Sequence, residues 1–170
     1  EEKPVDIDDE ARQELLLLSP SVLVPRLVHA EVVVWDTLAI AEYLNEIVPG
    51  AGLLPAGRAE RAHCRAISGE MHARCPGFKV WAGAQADIHP IAEIWRDCLK
   101  RYGGPFLFGG RSMADAMYAP VCTRFRTYAV ELEPRLQAYC DTVFAWPLLA
   151  EWTEGALAEP DEIVELEVEF

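Results

Sequence analysis

A chain of 170 residues, 51% hydrophobic and 25% charged, can fill one ample core or two small ones, since domains usually run to roughly 100–150 residues. Its 15 lysines and arginines against 28 aspartates and glutamates leave a formal net charge of −13, a field that repels nucleic acid phosphates and anionic lipid heads. Neither a nucleic acid nor a membrane partner is expected. The acidic start EEKPVDIDDE is the opposite of a basic signal-peptide region, and no apolar run nears the roughly 20 residues that span a bilayer, so a cytoplasmic location is expected.

In chain order, KPVDI (residues 3–7) has the pattern of a short strand, and the acidic DDEARQELLLL after it has the charge order of a helix start. Ser19, Pro20 and Ser21 stop that helix. VPRLV (24–28) and EVVVW (31–35) are β-rich runs separated by His29 and Ala30, a spacing that predicts a hairpin although the usual Asn-Gly signal is absent. In LAIAEYLNEIV (38–48), apolar residues recur near the helical period. PGAGLLPAG (49–57), with two prolines and three glycines, breaks the periodicity, and residues 50–57 are taken as a linker.

Every long segment beyond it is predicted helical: 58–73, 85–101, 113–128, 134–144 and a shorter one at 148–157. The expected organisation is a small β-containing domain over 1–49 and an all-α domain over 58–170. EPDEIVELEVEF alternates acidic and apolar residues without a cap, and is expected to lie extended on the helical domain.

Five cysteines, Cys64, Cys75, Cys98, Cys122 and Cys140, form an odd count without a CxxC pair, so reduced thiols are expected in place of a disulfide framework. A zinc site from His63, Cys64, His72 and Cys75 is disfavoured. His63 and His72 are nine positions apart, about two and a half turns, and point to different sides of a continuous helix. No metal is expected.

Asp36 stands where an N-cap is needed, and a plain helix cap accounts for it by itself. Thr37 adds a hydroxyl and a backbone N–H at the positive end of the same helix. The pair can therefore also hold a group that carries both a carboxylate and an ammonium. Val24-Pro25 opens the preceding strand, where a missing N–H is tolerated, and the residues alone favour a trans bond. Ser112 and Asp115 form an S-x-x-D capping box before an apolar run, a structural device with no chemistry assigned, and Arg111 stands where an apolar staple residue is usual.

SPSVLVPRLVHAEVVVWDTLAIAEYL resembles the second half of the thioredoxin-like domain of glutathione S-transferases of the bacterial, cytosolic type, in which a Val-Pro opens the third strand and an acidic-hydroxyl pair the third helix. GPFLFGGRSMADAMYAPV resembles the start of their buried sixth helix. The resemblance implies an α/β plus all-α fold, with a thioredoxin-like domain binding glutathione as co-substrate and an all-helical domain presenting a small electrophile. It implies that the Val24 main chain pairs with the cysteinyl part of glutathione, that Pro25 is cis, and that Asp36 and Thr37 hold the γ-glutamyl end. Met71 and His72 of EMHA become candidates for the substrate pocket, and a homodimer with a role in detoxification is implied.

The resemblance also exposes departures. The family's opening strand and helix carry the serine, tyrosine or cysteine whose hydrogen bond favours the thiolate, and Glu1 aligns just after that unit. The catalytic residue is thus unassigned, and an intact polypeptide heavier than 19.0 kDa is expected. Arg74, Cys75 and Pro76 follow EMHA at once, where relatives continue the helix, so either a missing loop or a reshaped pocket is expected. Val22 and Leu23 are apolar where many relatives place a polar contact to the glycyl carboxylate. A glutathione-dependent isomerase of the maleylacetoacetate type and a non-catalytic binding protein of the same fold are the alternatives.

Overall fold

The computed structural model describes residues 24–74 and 84–159. The strand expected at 3–7, the acidic helix after it, Val22-Leu23, Cys75 and the tail 160–170 lie outside the described residues. The chain divides into two compact units, Glu1–Arg61 and Ala62–Phe170.

In the first unit β1 (Arg26–His29) and β2 (Val32–Trp35) pair antiparallel, with Arg26 opposite Trp35 and His29 opposite Val32. The hairpin forms, one residue later than its sequence pattern suggests. His29 belongs to the ladder, and Ala30 and Glu31 make the turn, with Ala30 at φ 52°. A positive φ at alanine is uncommon, which is why the composition of the segment did not mark the turn.

Helix α1 (Thr37–Ile47) packs on β2, and the imidazole Nδ1 of His29 is hydrogen-bonded to the Tyr43 hydroxyl at 2.7 Å. The helix closes on a Val48 N–H donated to the Leu44 carbonyl, and Pro49 opens a single 3-10 turn, Pro49–Ala51. Proline cannot continue the α-helical ladder but suits the first position of a new turn. Arg61 donates to the carbonyls of Pro55 and Ala56, tying the linker's end to the first turn of α2 (Arg58–Arg74).

The second unit continues with α3 (Ala84–Tyr102), α4 (Met113–Thr127), α5 (Pro134–Phe144) and α6 (Pro147–Ala158). These helices follow the expected spans to within one residue at each end. Pro134 and Pro147 fall in first turns, where the missing N–H costs nothing. Trp95 of α3 is fully buried at the centre. Tyr118 of α4 and Tyr139 of α5 meet it edge-on, with centroids 5.6 and 4.8 Å away, and Phe125 lies tilted at 5.5 Å. Such aromatic pairs add about 0.5–1.5 kcal/mol each beyond the burial of their area.

Around this centre α4 is buried on most sides, with Met113, Ala114, Met117, Val121 and Cys122 all inside. Its start is fixed by the expected capping box. The Asp115 carboxylate accepts from the Ser112 N–H (2.8 Å) and hydroxyl (2.9 Å), from the Leu107 N–H (3.0 Å) and from the Tyr139 hydroxyl (3.3 Å). One side chain therefore joins the loop before α4 to its first turn and to α5. Burial raises the Asp115 carboxyl, and the hydrogen bonds from Leu107, Ser112 and Tyr139 work against that rise. The same loop contains a cis Gly104–Pro105 bond and Gly109 at φ 80°, where an added Cβ would meet the Tyr102 carbonyl at 3.2 Å.

Where a staple residue is missing, Arg111 lies over the Trp146 ring at 5.4 Å. Arg96 of α3 forms a two-pronged pair with Glu133, just before α5, at 3.0 and 3.1 Å. Among the described residues no helix is long and apolar enough to cross a membrane. The four described cysteines, Cys64, Cys98, Cys122 and Cys140, are free thiols and all buried.

Candidate functional site

The register of the hairpin brings two of the sequence's candidate features together. Arg26 opposite Trp35 is the last pair of the ladder, so the next residue outward on each strand, Pro25 and Asp36, flanks the hairpin's open end. Paired strands lie about 5 Å apart, which places Val24-Pro25 and Asp36-Thr37 at one edge. The Val24–Pro25 bond is cis, as the resemblance implies and against the trans default of the residues themselves. Val24, Pro25 and Thr37 are exposed and Asp36 half-buried.

Asp36 has φ 75° and ψ 130°, a region that side-chain-bearing residues rarely occupy, at a cost of order 1–3 kcal/mol. What the conformation achieves is visible in the bonds. Its Oδ1 accepts from the N–H groups of Leu38 (2.9 Å) and Ala39 (3.2 Å), and its carbonyl accepts from Ile40 (2.9 Å). Asp36 is therefore the N-cap of α1. A carboxylate offers about four acceptor positions, so capping and contact with an ammonium are compatible. Thr37, the first helical residue, stands at the positive end of the helix.

Sequence reasoning passed over Arg26. It follows Pro25 directly, and among the described residues its Nη1 is buried without a hydrogen-bond partner. The signal in the sequence was a basic residue beginning an otherwise apolar strand.

Met71 and His72 lie on α2 in the second unit. Met71 is buried at 9% exposure among the core residues, and His72 beside it is half-buried. Tyr118 is buried too, its hydroxyl donating to the Ile67 carbonyl at 3.3 Å. A cleft of about 260 Å³ in the same unit is lined by other residues, from the end of α4, the loop after it, and α5. Among the described residues no group of three or more His, Cys, Asp or Glu side chains is placed to hold a metal ion.

Comparison with known proteins agrees with this architecture. Family models described as the glutathione S-transferase N-terminal domain and the glutathione S-transferase C-terminal domain match residues 1–46 and 78–155. A glutathione transferase homologue from Burkholderia gl BGR1, solved with bound glutathione, superposes with a TM-score of 0.70 at 25% identity, over 91% of this chain and 82% of that one. A probable maleylacetoacetate isomerase from Caenorhabditis elegans is 44% identical over 69 residues, 40% of this chain and 32% of its own length. One from Vibrio cholerae is 35% identical over 77 residues, 45% of this chain and 30% of its own. The chain thus spans about a third of the length of these two curated relatives. With both domain models in order along the sequence, and the thioredoxin-like hairpin and helical unit in place, the chain belongs to the glutathione S-transferase family.

Proposed function

We propose that this chain binds glutathione at the open end of the β1–β2 hairpin and serves a glutathione-dependent enzyme in which the thiolate attacks a small electrophile. The observation that supports it most is the juxtaposition of Val24-Pro25 with Asp36, held at φ 75°, across the end of one ladder. In this reading the Val24 main chain pairs with the cysteinyl segment, and Asp36 and Thr37 take the γ-glutamyl ammonium and carboxylate. Two anchors on a tripeptide thiol fix where its sulfur lies, which is the positioning part of catalysis. The group that lowers the thiol pKa is unassigned within residues 24–61.

A second reading, glutathione-dependent isomerisation, is favoured by the two matches to maleylacetoacetate isomerases. Substrate arrays that contrast an aryl halide with a cis-configured unsaturated diketo acid separate the two. Met71 and His72 as substrate contacts, a homodimer, a cytoplasmic location and a role in detoxification belong to the same proposal. So does the rival in which the fold binds glutathione without catalysis.

The test is calorimetric titration of glutathione onto wild type and Asp36→Asn. Asparagine caps a helix about as well as aspartate and also tolerates positive φ, so the fold is kept while the charge is lost. Binding weakened by about tenfold or more, with stability little changed, is the expected result, since a charged hydrogen bond contributes about 1.5–3 kcal/mol. S-methylglutathione should bind wild type comparably, because the anchors lie away from sulfur. Undiminished binding by Asp36→Asn would remove the γ-glutamyl anchor from the proposal.

A further inference from the structure

Helix α4 ends on a loop whose shape is fixed by its own backbone. The Val130 N–H donates back to the Phe125 carbonyl at 2.9 Å and the Ala129 N–H to that of Arg126 at 3.2 Å, with Ala129 at φ 49°. This paired closure turns a chain sharply off a helix end. The end of α4, the loop and α5 together border a cleft of about 260 Å³.

The lining divides by chemistry. Phe125, Val130, Leu132 and Phe144 supply apolar wall, while Arg126 and Glu131, both exposed, supply one charge of each sign. The Arg126 guanidinium lies over the Phe144 ring at 3.9 Å, so its face is occupied and its N–H edge is left for a ligand. Although they border one cleft, Arg126 and Glu131 do not bridge each other, and among the described residues neither is ion-paired. A cavity of about 150 Å³ suffices for a benzene ring, and pockets for drug-sized ligands run to about 300–1,000 Å³. The size of this one suits a molecule with a single ring.

We propose that this cleft binds a free aromatic α-amino acid, its ring against Phe125 and Phe144, its carboxylate on Arg126 and its ammonium on Glu131. A neutral arene would leave both charges unused, and an arene bearing only a carboxylate would bring its charge toward Glu131 without return. A zwitterion gives each charge its complement, and the planar guanidinium edge matches a carboxylate with two parallel hydrogen bonds. Binding is reversible and non-covalent. None of these residues belongs to the glutathione edge at Val24-Pro25 and Asp36-Thr37.

The test titrates L-phenylalanine into the 15N-labelled 170-residue chain. The amides of Val130, Glu131 and Leu132 should shift and saturate together. Phenylpropionate lacks the ammonium and phenethylamine lacks the carboxylate, and each should bind about tenfold or more weakly, since a charged hydrogen bond is lost. Arg126→Gln should weaken L-phenylalanine and phenylpropionate but not phenethylamine, and Glu131→Gln should weaken L-phenylalanine and phenethylamine but not phenylpropionate. A variant that merely misfolds loses all three ligands, and the ranking of the ligands on wild type then decides. The proposal is overturned by either analogue binding wild type as tightly as the amino acid, by shifts that spare these amides, or by no saturation at all. Binding that appears only once residues 160–170 are removed overturns it too, because the cleft's occupant is then the tail.

Discussion

Among the described residues of the N-terminal unit, Leu54 alone is buried, at 8% exposure, whereas in the C-terminal unit Trp95, Cys98, Leu107, Val121 and Val143 are 3% exposed or less. The first unit holds Asp36 in a costly conformation at the end of its hairpin. The second encloses Asp115 and satisfies it with four hydrogen bonds. The difference separates two uses of an aspartate at a helix start. Asp36 is half-buried beside an open edge and can meet a ligand; Asp115 is enclosed and can only hold the fold together.

The contrast breaks first at Asp115. Asp115→Ala leaves the donors of Leu107, Ser112 and Tyr139 unpaired in the interior, and should cost about 3–5 kcal/mol in urea unfolding. Loss below about 1 kcal/mol would mean that water reaches this box and the core is not closed. Next comes alkaline pH. Burial, and then the charge of Asp97, push the Cys98 thiol up from 9.0 to about 12. The folded-state value lies above the unfolded one, so the contribution is full below pH 9. It then falls as pH rises toward 12, because the unfolded chain releases a proton that the folded chain keeps. That amounts to at most about 4 kcal/mol. Cys64, Cys122 and Tyr139 are raised as well and act in the same direction. Urea midpoints should drop steeply above pH 9, and less steeply in Cys98→Ala.

In the first unit the effects are smaller. Asp36→Ala removes the cap of α1 and should cost about 1–2 kcal/mol. Asp36→Gly should cost only a few tenths, since glycine accepts positive φ; equal losses for both would deny that the backbone at Asp36 is strained. Smallest is Arg111→Ala, about 0.5 kcal/mol for the contact with Trp146, measured by the same unfolding curves.

Much of this was legible in the residues, for reasons that differ by region. The helices of the second unit announced themselves by period and by Pro134, Pro147 and the Ser112 box, which are local signals. The hairpin was legible to within one residue, its turn being hidden by Ala30 at positive φ. The cis bond at Val24–Pro25 came from resemblance, and that at Gly104–Pro105 was not foreseen. What no local pattern carries is the meeting of residues distant in sequence: Asp115 with Leu107 and Tyr139, and Trp95 with Tyr118 and Tyr139. Of the candidate site, Asp36 and Thr37 were legible as a helix start, but that they flank the same edge as Pro25 follows from the register.

The account's central claim is that the hairpin's open end is where glutathione docks. Amide chemical shifts followed during a glutathione titration of the 15N-labelled chain test it most directly. The largest changes are expected at Val24, Thr37, Leu38 and Ala39, saturating together and absent in Asp36→Asn at the same ligand concentrations. Shifts that spare these amides while others saturate would contradict it.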